Sequence, residues 1–317
     1  MKNLSYSDIA LVPQYSETRS RADIKLNSRL GSLPFEFRLP VIPANMRCVI
    51  DVNTARTLQE NGYMYIMHRF DIDNVEFLKL CAKEKWKFSS ISVGVKEEDI
   101  HSIKTIAKKK LPVDCITIDI AHGHSGMLAD TVATIKDLLP DTFLIAGNVG
   151  SVEAYRDLCV WGADAVKCGI GGGSVCSTRN KTGFYTPMFT LIREIYEFKK
   201  YHQLPQAIIA DGGIHENGDF AKALVAGADF VMSGKLFAEC TDGPAPITAS
   251  GSKQYFGSAS AANKKHSNNI EGIVSEVQTN GFTFLEKLAE IEQDLQSACS
   301  YAGGELSPEL VKHITFS

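Results

Sequence analysis

Eight short apolar runs constrain the fold of this chain more than any other feature. Most begin about 22 to 28 residues after the previous run, and amphipathic segments such as DVNTARTLQENG and SVEAYRDLCVWG lie between them. Uninterrupted apolar runs are typical of parallel strands buried on both faces, and the segments between them have helical spacing. The runs are Leu39 to Ala44, Tyr63 to Met67, Ser89 to Val95, Cys115 to Ile120, Phe143 to Val149, Ala165 to Ile170, Ala207 to Ala210 and Phe230 to Met232.

Eight strands that alternate with helices predict an α/β protein of the (β/α)8 TIM-barrel class. Such a barrel needs about 250 residues, and 317 residues provide for one domain, 1–317, with additional loops. A doubly wound open sheet is the structural alternative. The long connection containing residues 179–184 predicts a mobile active-site loop. Residues 240–283, rich in Gly, Ser, Ala and Asn without a clear period, predict a mobile lid, and residues 285–300 predict a closing helix.

Composition excludes several classes of function. Hydrophobic residues make up 44% and charged residues 22% of the chain, as in soluble globular proteins. The net charge of -4 argues against broad binding to nucleic acid, and no run approaches the length of a membrane span. The eight cysteines contain no C-x-x-C pair, which indicates a reducing compartment rather than disulfides or zinc. We therefore expect a cytoplasmic protein with no nucleic-acid or membrane partner.

Polar residues and glycines follow the apolar runs, where a barrel places its chemistry. Loops at the carboxyl ends of barrel strands form the active site, and those after the last two strands often bind phosphate. Here those two loops carry Gly212, Gly213 and Gly234, so a phosphorylated ligand is favoured. The polar segments are Asn45-Met46-Arg47, His68-Arg69, His122-Gly-His124, Gly147-Asn148, Asp211-Gly-Gly213 and Ser233-Gly-Lys235.

The loop from Gly169 to Arg179, GIGGGSVCSTR, combines four glycines with one cysteine. Glycines permit backbone conformations closed to other residues and let peptide groups face a phosphate or an ion. Cys176 is a candidate nucleophile, and the hydroxyl and basic groups that follow it could hydrogen-bond a substrate or move a proton. The alternative interpretation is a flexible surface loop with an idle cysteine.

Several motifs together resemble the IMP dehydrogenase/GMP reductase family over about residues 5 to 303. They are GIGGGSVCSTR with the following KTGF, PANM, AGNVG, DGG and LQSACSYAGG. The segments ITIDIAHGHS, IMHRF and QDLQSACSYAGG are similar to the compact bacterial GMP reductases within it. The resemblance implies a barrel enzyme that uses NADPH to convert GMP to IMP with release of ammonia, through a covalent adduct of Cys176 at purine C2. It also implies a homotetramer.

The resemblance implies a role for each matching residue. Thr178 would relay a proton to the departing ammonia together with Glu271, which lies in the lid. Phosphate and ribose would be held by Ser174, Asp211, Gly212, Gly213, Gly234 and Lys235, and Met46 would pack on the purine. Asp119 and Asn148 would line the nicotinamide side, and the carbonyl oxygens of Gly171, Gly173 and Cys176 would bind a monovalent cation such as K+.

Two absences favour reduction over hydrolysis within the family. IMP dehydrogenases usually carry a regulatory insertion after the second strand, whereas here Arg69 leads directly toward the third run, so no inserted regulatory domain is expected. They also use an arginine on the lid to activate water, and no arginine follows Arg193. Three residues depart from the family pattern: Gly172 replaces a proline, Tyr185 a glycine and Ser177 a threonine.

Alternatives remain at particular sites. His122 and His124 match the H-x-H of some metal hydrolases, with Asp119 and Asp211 as further ligands. Lys264 and Lys265 would be in reach of a cofactor 2′-phosphate if they lie on the lid. An IMP dehydrogenase without regulatory domains and a catalytically silent nucleotide-binding relative are the alternative functions.

Overall fold

The computed structural model describes residues 3–257, 260 and 272–316. It contains eleven strands in these parts of the chain: β1 Ile9–Leu11, β2 Val41–Pro43, β3 Ser90–Val93, β4 Cys115–Asp119, β5 Phe143–Val149, β6 Ala165–Cys168, β7 Ala207–Asp211, β8 Phe230–Ser233, β9 Lys253–Phe256, β10 Val274–Val277 and β11 Ile314–Phe316.

The helices alternate with the central strands, as the apolar pattern predicts. They are α1 Val52–Glu60, α2 Asn74–Glu84, α3 Glu97–Lys109, α4 Gly126–Leu138, α5 Val152–Trp161, α6 Thr178–Thr182, α7 Met188–His202, α8 Asn217–Ala226, α9 Lys235–Ala238 and α10 Phe284–Tyr301, with short 3-10 helices at Tyr6–Asp8, Arg21–Asp23 and Pro308–His313. No helix in the described ranges is both long and apolar enough to cross a bilayer.

Helix α5 shows how the sequence produces these elements. Its N-cap Ser151 accepts a hydrogen bond from the Ala154 N–H, which satisfies a backbone donor that the helix itself cannot pair. Its apolar face, including Tyr155 and Leu158, is buried. Gly162 ends the helix at a φ of 114°, a left-handed conformation that costs glycine little.

Seven parallel strands form one curled sheet in the order β2-β8-β7-β6-β5-β4-β3. The fold is an α/β barrel, as predicted. The predicted second strand, Tyr63 to Met67, is buried but forms no ladder of its own. It lies between the two sheet edges, since Arg38 N donates to Gly62 O at 2.9 Å and Met67 N donates to Ser90 O at 3.2 Å. The Ser90 N–H donates a hydrogen bond to the Tyr65 hydroxyl. In a complete ladder, that N–H would instead pair with the backbone of the second strand.

Two small antiparallel sheets lie outside the barrel sheet, one at the chain termini and one within the predicted lid. β1 pairs with β11 in antiparallel register, although the first 38 residues look irregular in sequence. Within residues 240–283, β9 and β10 form an antiparallel hairpin. The apolar pattern missed it because these strands are four residues long and one of them is largely exposed. Helix α10 confirms the predicted closing helix.

Candidate active site

The glycine loop after β6 touches the loop after β7, and only glycine permits the approach. Gly213 N donates to Gly172 O at 3.0 Å. Gly169 has a φ of 147°, and a Cβ atom there would lie 2.0 Å from the Asp211 carbonyl oxygen. Gly212, at a φ of 109°, stands against the Gly172 backbone. The two motifs recognised separately in the sequence therefore form one wall.

A small cavity opens at this junction of loops. Its walls come from the glycine loop, from the end of β7, from the end of β8 and from the hairpin. Backbone N–H groups of adjacent glycines are well suited to an anion. The predicted phosphate ligands among the lining residues are Ser174, Gly212, Gly213, Gly234 and Lys235, and Gly172, Gly173 and Tyr255 line the same cavity.

Tyr255, on β9, is a site residue that sequence reasoning missed. It is 4% exposed, and its hydroxyl lies 4.0 Å from the Met46 sulfur. A Cβ atom on Gly234 would come within 2.5 Å of that hydroxyl oxygen, so Gly234 leaves the space that the tyrosine fills. Burial raises the pKa of Tyr255, which keeps it a neutral hydrogen-bond donor. The signal available in the sequence was the alternation of Lys253, Gln254 and Tyr255, a pattern that indicates one short strand.

Cys176 stands just before helix α6, and its environment differs from that of the other cysteines. Its Sγ donates to Thr178 Oγ1 at 3.2 Å, and its N–H donates to Gly173 O at 3.0 Å. Cys176 is partly exposed, whereas the other seven cysteines are buried. The predicted nucleophile and the predicted proton-relay hydroxyl are therefore in contact. Glu271, the third member of the relay, lies outside the described residues.

The hairpin holds the cysteine loop from the other side. Ile273 N donates to Val175 O at 3.0 Å, and Gly272 forms an antiparallel bridge with Cys176. The Ser177 hydroxyl is buried and has no hydrogen-bond partner among the described residues. The loop is thus fixed by backbone contacts on both of its sides, which orients the thiol.

A buried lysine joins the predicted ribose and nicotinamide residues. Lys167 Nζ, on β6, lies 3.0 Å from an Asp119 carboxylate oxygen and 2.7 Å from Asp211 Oδ2. Burial alone would raise the pKa of Asp119, but Lys167 and Arg69 outweigh it and hold that pKa below its usual range. The same two carboxylates raise the pKa of Lys167 against the effect of burial. Asp119 and Lys167 are therefore both charged at neutral pH.

Asn148 extends this cluster toward the glycine loop. Its Nδ2 donates at 2.9 Å both to Asp211 Oδ2 and to Gly169 O. Its Oδ1 is buried and accepts no hydrogen bond from the described residues. An unpaired buried amide oxygen is costly, and a ligand N–H would satisfy it. Asp119 and Asn148, predicted for the nicotinamide side, and Asp211, predicted for the ribose, therefore belong to one network.

The family profile described as the IMP dehydrogenase / GMP reductase domain matches residues 3–317. The chain belongs to this family. It is 45% identical over 309 residues to the GMP reductase of Bacillus licheniformis, covering 96% of this chain and 93% of that protein. It is 47% identical over 304 residues to the GMP reductase of Clostridium acetobutylicum (95% and 91%) and 45% identical over 308 residues to that of Helicobacter pylori strain 26695 (96% and 92%).

One departure from the family pattern, Tyr185, contacts the glycine loop. Tyr185 packs beside Gly171, and its hydroxyl lies 2.9 Å from Ser5 Oγ. The Arg179 guanidinium stands 4.5 Å from the centre of the Tyr185 ring, a cation–π distance. Tyr185 therefore ties the loop after Cys176 to the N-terminal segment, in a loop where Gly172 removes the rigidity of a proline.

The metal-site interpretation finds no support in this member of the family. His124 Nε2 pairs with Asp157 at 2.8 Å on the flank of α5. Across the described ranges, no group of three or more His, Cys, Asp or Glu side chains is arranged to hold a metal ion. His68 is buried beside Arg47, and its pKa is lowered to about 4, so it is neutral at physiological pH.

The exposure of the cysteines predicts selective alkylation. Burial raises the pKa of Cys48 to about 11 and that of Cys240 to about 12, which suppresses their thiolates. We expect iodoacetamide at neutral pH to modify Cys176 first, as mapped by peptide mass spectrometry. Modification of Cys48 or Cys240 before Cys176 in folded protein would contradict the assignment.

Proposed function

We propose that this protein is a GMP reductase, which converts GMP to IMP with consumption of NADPH and release of ammonia. The observation that carries the proposal is the contact between the Cys176 thiol and the Thr178 hydroxyl beside a glycine-lined cavity suited to phosphate. The names of the bacterial relatives supply the reaction and substrate class.

The cavity would hold the 5′-phosphate of the nucleotide. Ser174, Gly212, Gly213, Gly234 and Lys235 line it, and their N–H, hydroxyl and ammonium groups are donors to phosphate oxygens. Tyr255 adds a buried phenol. Asp211, an anion joined to Lys167, is suited to the ribose hydroxyls rather than to phosphate, because like charges repel. Met46, whose sulfur lies 4.0 Å from the Tyr255 hydroxyl, would pack on the purine.

The reaction at C2 would proceed through Cys176. Its thiolate adds to C2, a carbon–sulfur bond forms, and the exocyclic amine leaves as ammonia once it has taken a proton, which gives a thioimidate intermediate. Thr178 Oγ1, in contact with Sγ, is placed to pass that proton, and Glu271 would be its carboxylate partner. Hydride then adds to C2 and the carbon–sulfur bond breaks, releasing IMP and the thiolate.

The residues on the nicotinamide side fit the cofactor chemistry. NADPH, when bound, supplies the hydride. Asn148 Oδ1, buried and without a partner in the described ranges, is an acceptor for a carboxamide N–H. Asp119 is held charged by Lys167 and Arg69, so its carboxylate can accept a further donor. Lys264 and Lys265, the candidates for the 2′-phosphate, lie outside the described residues.

The remaining parts of the proposal rest on the family resemblance. A monovalent cation such as K+ would bind the carbonyl oxygens of Gly171, Gly173 and Cys176, in the loop folded by the Cys176 N–H to Gly173 O bond. Residues 1–317 would form a single catalytic domain with no regulatory insertion. The enzyme would work in the cytoplasm as a homotetramer.

One assay tests the reaction. Purified protein is given GMP with NADPH, and then IMP with NAD, while cofactor absorbance and free ammonia are followed. Ammonia released in step with NADPH oxidation supports the proposal. Formation of NADH from IMP would identify an IMP dehydrogenase instead, and binding of GMP without turnover a silent nucleotide-binding relative.

Replacing Thr178 tests the proton relay. Thr178→Val removes the hydroxyl that contacts Cys176 while keeping the side-chain shape, and Thr178→Ser keeps the hydroxyl. We expect kcat to fall by about 10²-fold in the valine variant, the usual contribution of a general acid, with the Kd for GMP little changed. The serine variant should retain most of the activity. Equal activity in both variants would remove Thr178 from the relay.

A further inference from the structure

A buried ammonium group that the proposed reaction does not use lies beneath the hairpin. Lys253, the first residue of β9, is 1% exposed. Its Nζ donates hydrogen bonds to the backbone oxygens of Cys240 at 2.5 Å, Gly243 at 2.9 Å and Thr241 at 3.3 Å. The three N–H groups of the ammonium therefore meet three carbonyl oxygens of one turn.

This environment lacks the usual partner of a buried lysine. Among the described residues, every hydrogen-bond acceptor of Lys253 is a backbone carbonyl oxygen, and no carboxylate forms an ion pair with it. A charge buried without an ion pair is costly, and burial lowers the pKa of Lys253 by more than the nearby Asp242 charge raises it. Clustered backbone carbonyl oxygens are the ligands that proteins use for dehydrated monovalent cations.

The turn that supplies the carbonyl oxygens is fixed from its other side. Thr241 N donates to Phe282 O at 2.8 Å, and the Asp242 carboxylate accepts the Phe284 N–H at 2.9 Å. Phe284 begins α10 and is fully buried against Phe237. The carbonyl cluster is therefore part of the barrel wall rather than of the hairpin.

The ammonium thus joins the hairpin to the phosphate cavity. Lys253 and Tyr255 lie on the same face of β9, since residues two apart in a strand point the same way, and the intervening Gln254 is exposed. The turn follows α9 directly, and α9 begins at Lys235 in the cavity wall. Fixing Lys253 consequently fixes the depth at which the Tyr255 hydroxyl enters the cavity.

We propose that the carbonyl oxygens of Cys240, Thr241 and Gly243 form a monovalent-cation site which Lys253 fills with its own ammonium, and that this contact positions Tyr255 for the nucleotide phosphate. Lys253 is a positioning residue, because it does not itself line the cavity. The part concerning phosphate rests on the proposed function, whereas the cation site does not. Removal of the side chain should expose a site for ammonium or a primary alkylammonium ion.

The cation site is tested by chemical rescue. Lys253→Ala removes the atoms that propylammonium would replace, and its thermal unfolding midpoint is measured against propylammonium chloride. Tetramethylammonium chloride at equal ionic strength is the salt control, since it has no N–H to donate. We expect a lowered midpoint that rises saturably with propylammonium alone, while wild type and Gln254→Met, altered at the exposed neighbour, do not respond. Equal effects of the two salts on Lys253→Ala would overturn the site.

Positioning is tested by binding of GMP. We expect Lys253→Ala to raise the Kd for GMP about tenfold, the loss of one charge-assisted hydrogen bond, and propylammonium to restore it, with Gln254→Met unchanged. Wild-type affinity in Lys253→Ala would overturn the positioning role. If wild type itself bound no GMP, the proposed function would fail, and the midpoint measurements would still decide the cation site.

A second variant, Lys253→Met, tests the same roles if Lys253→Ala folds poorly. Lys253→Met keeps the length of the side chain but has no N–H group, so the same rise in Kd is expected and wild-type affinity would again overturn the positioning role. For Lys253→Ala, recovery of soluble protein on refolding with propylammonium, but not with tetramethylammonium, would support the cation site. Equal recovery in both salts would count against it.

Discussion

Cys176→Ala is expected to abolish turnover of GMP while leaving nucleotide binding intact. The substitution removes the sulfur that we propose forms a covalent bond to C2, but none of the groups that line the cavity beside the glycine loop. Loss of a nucleophile from a covalent mechanism lowers kcat by at least about 10⁴-fold. We expect no ammonia release above background, with a Kd for GMP within a few-fold of wild type by calorimetry.

Cys81→Ala is the matched control for this variant. Cys81 is buried on α2, distant in sequence from the glycine loop, and its pKa is raised to about 12 by burial. Its replacement should lower stability slightly and leave kcat unchanged. Covalent chemistry at Cys176 would be excluded by substantial turnover in Cys176→Ala, whereas inactivity of both variants would indicate a general loss of folding.

Lys167→Met is expected to destabilise the protein strongly. The substitution removes the cation that bridges Asp119 and Asp211 and leaves the buried Asp119 carboxylate facing the partly buried Asp211 carboxylate. Breaking a buried ion pair by removing one partner costs about 3–5 kcal/mol. We expect a decrease of that size in the free energy of unfolding by urea denaturation. The Kd for GMP should also rise, because Asp211 loses the partner that orients it.

The pH dependence of the loss of stability in Lys167→Met follows from the pKa of Asp119. In the folded protein that pKa lies below its usual value. The stabilisation by the Asp119–Lys167 ion pair is therefore present above the ordinary aspartate pKa and is lost as the pH falls. The pKa of Lys167 is raised, so its contribution is complete below the ordinary lysine pKa. Without Lys167, burial raises the pKa of Asp119, so the variant regains stability when that carboxylate takes up a proton. The difference in the free energy of unfolding between wild type and Lys167→Met should therefore be largest near neutral pH and should narrow as the pH falls toward the ordinary aspartate pKa of about 4.

Lys200→Met is the control for the loss of a lysine. Lys200 pairs with Glu309 at 2.9 Å, and both side chains are about half exposed. Exposed ion pairs contribute little because water and salt screen them. Its replacement should leave stability and GMP binding near wild type. A Lys167→Met protein as stable as Lys200→Met would show that the buried network does not hold these carboxylates.

Local signals in the sequence were sufficient for most of the barrel. Continuous apolar runs specify buried parallel strands, and capped amphipathic segments such as Ser151 to Gly162 specify helices, because both patterns depend on near neighbours. The glycine loop and the DGG segment were recognisable for the same reason. Tyr63 to Met67 had the composition of a strand, but whether it completes a ladder depends on the contact of its Tyr65 hydroxyl with Ser90 of β3, which lies 25 residues further along the chain.

What the sequence by itself determined about this protein was the class of fold, the family, and the candidate reacting groups Cys176 and Thr178, since these depend on periodicity and on residues close together in the chain. Only the tertiary structure decided that Lys167 joins Asp119 to Asp211, that Tyr255 lines the cavity beside the glycine loop and that Lys253 Nζ contacts three backbone carbonyl oxygens. Each of these contacts joins strands or turns that are separated in sequence. Burial and charge pairing arise only when the barrel brings those segments together.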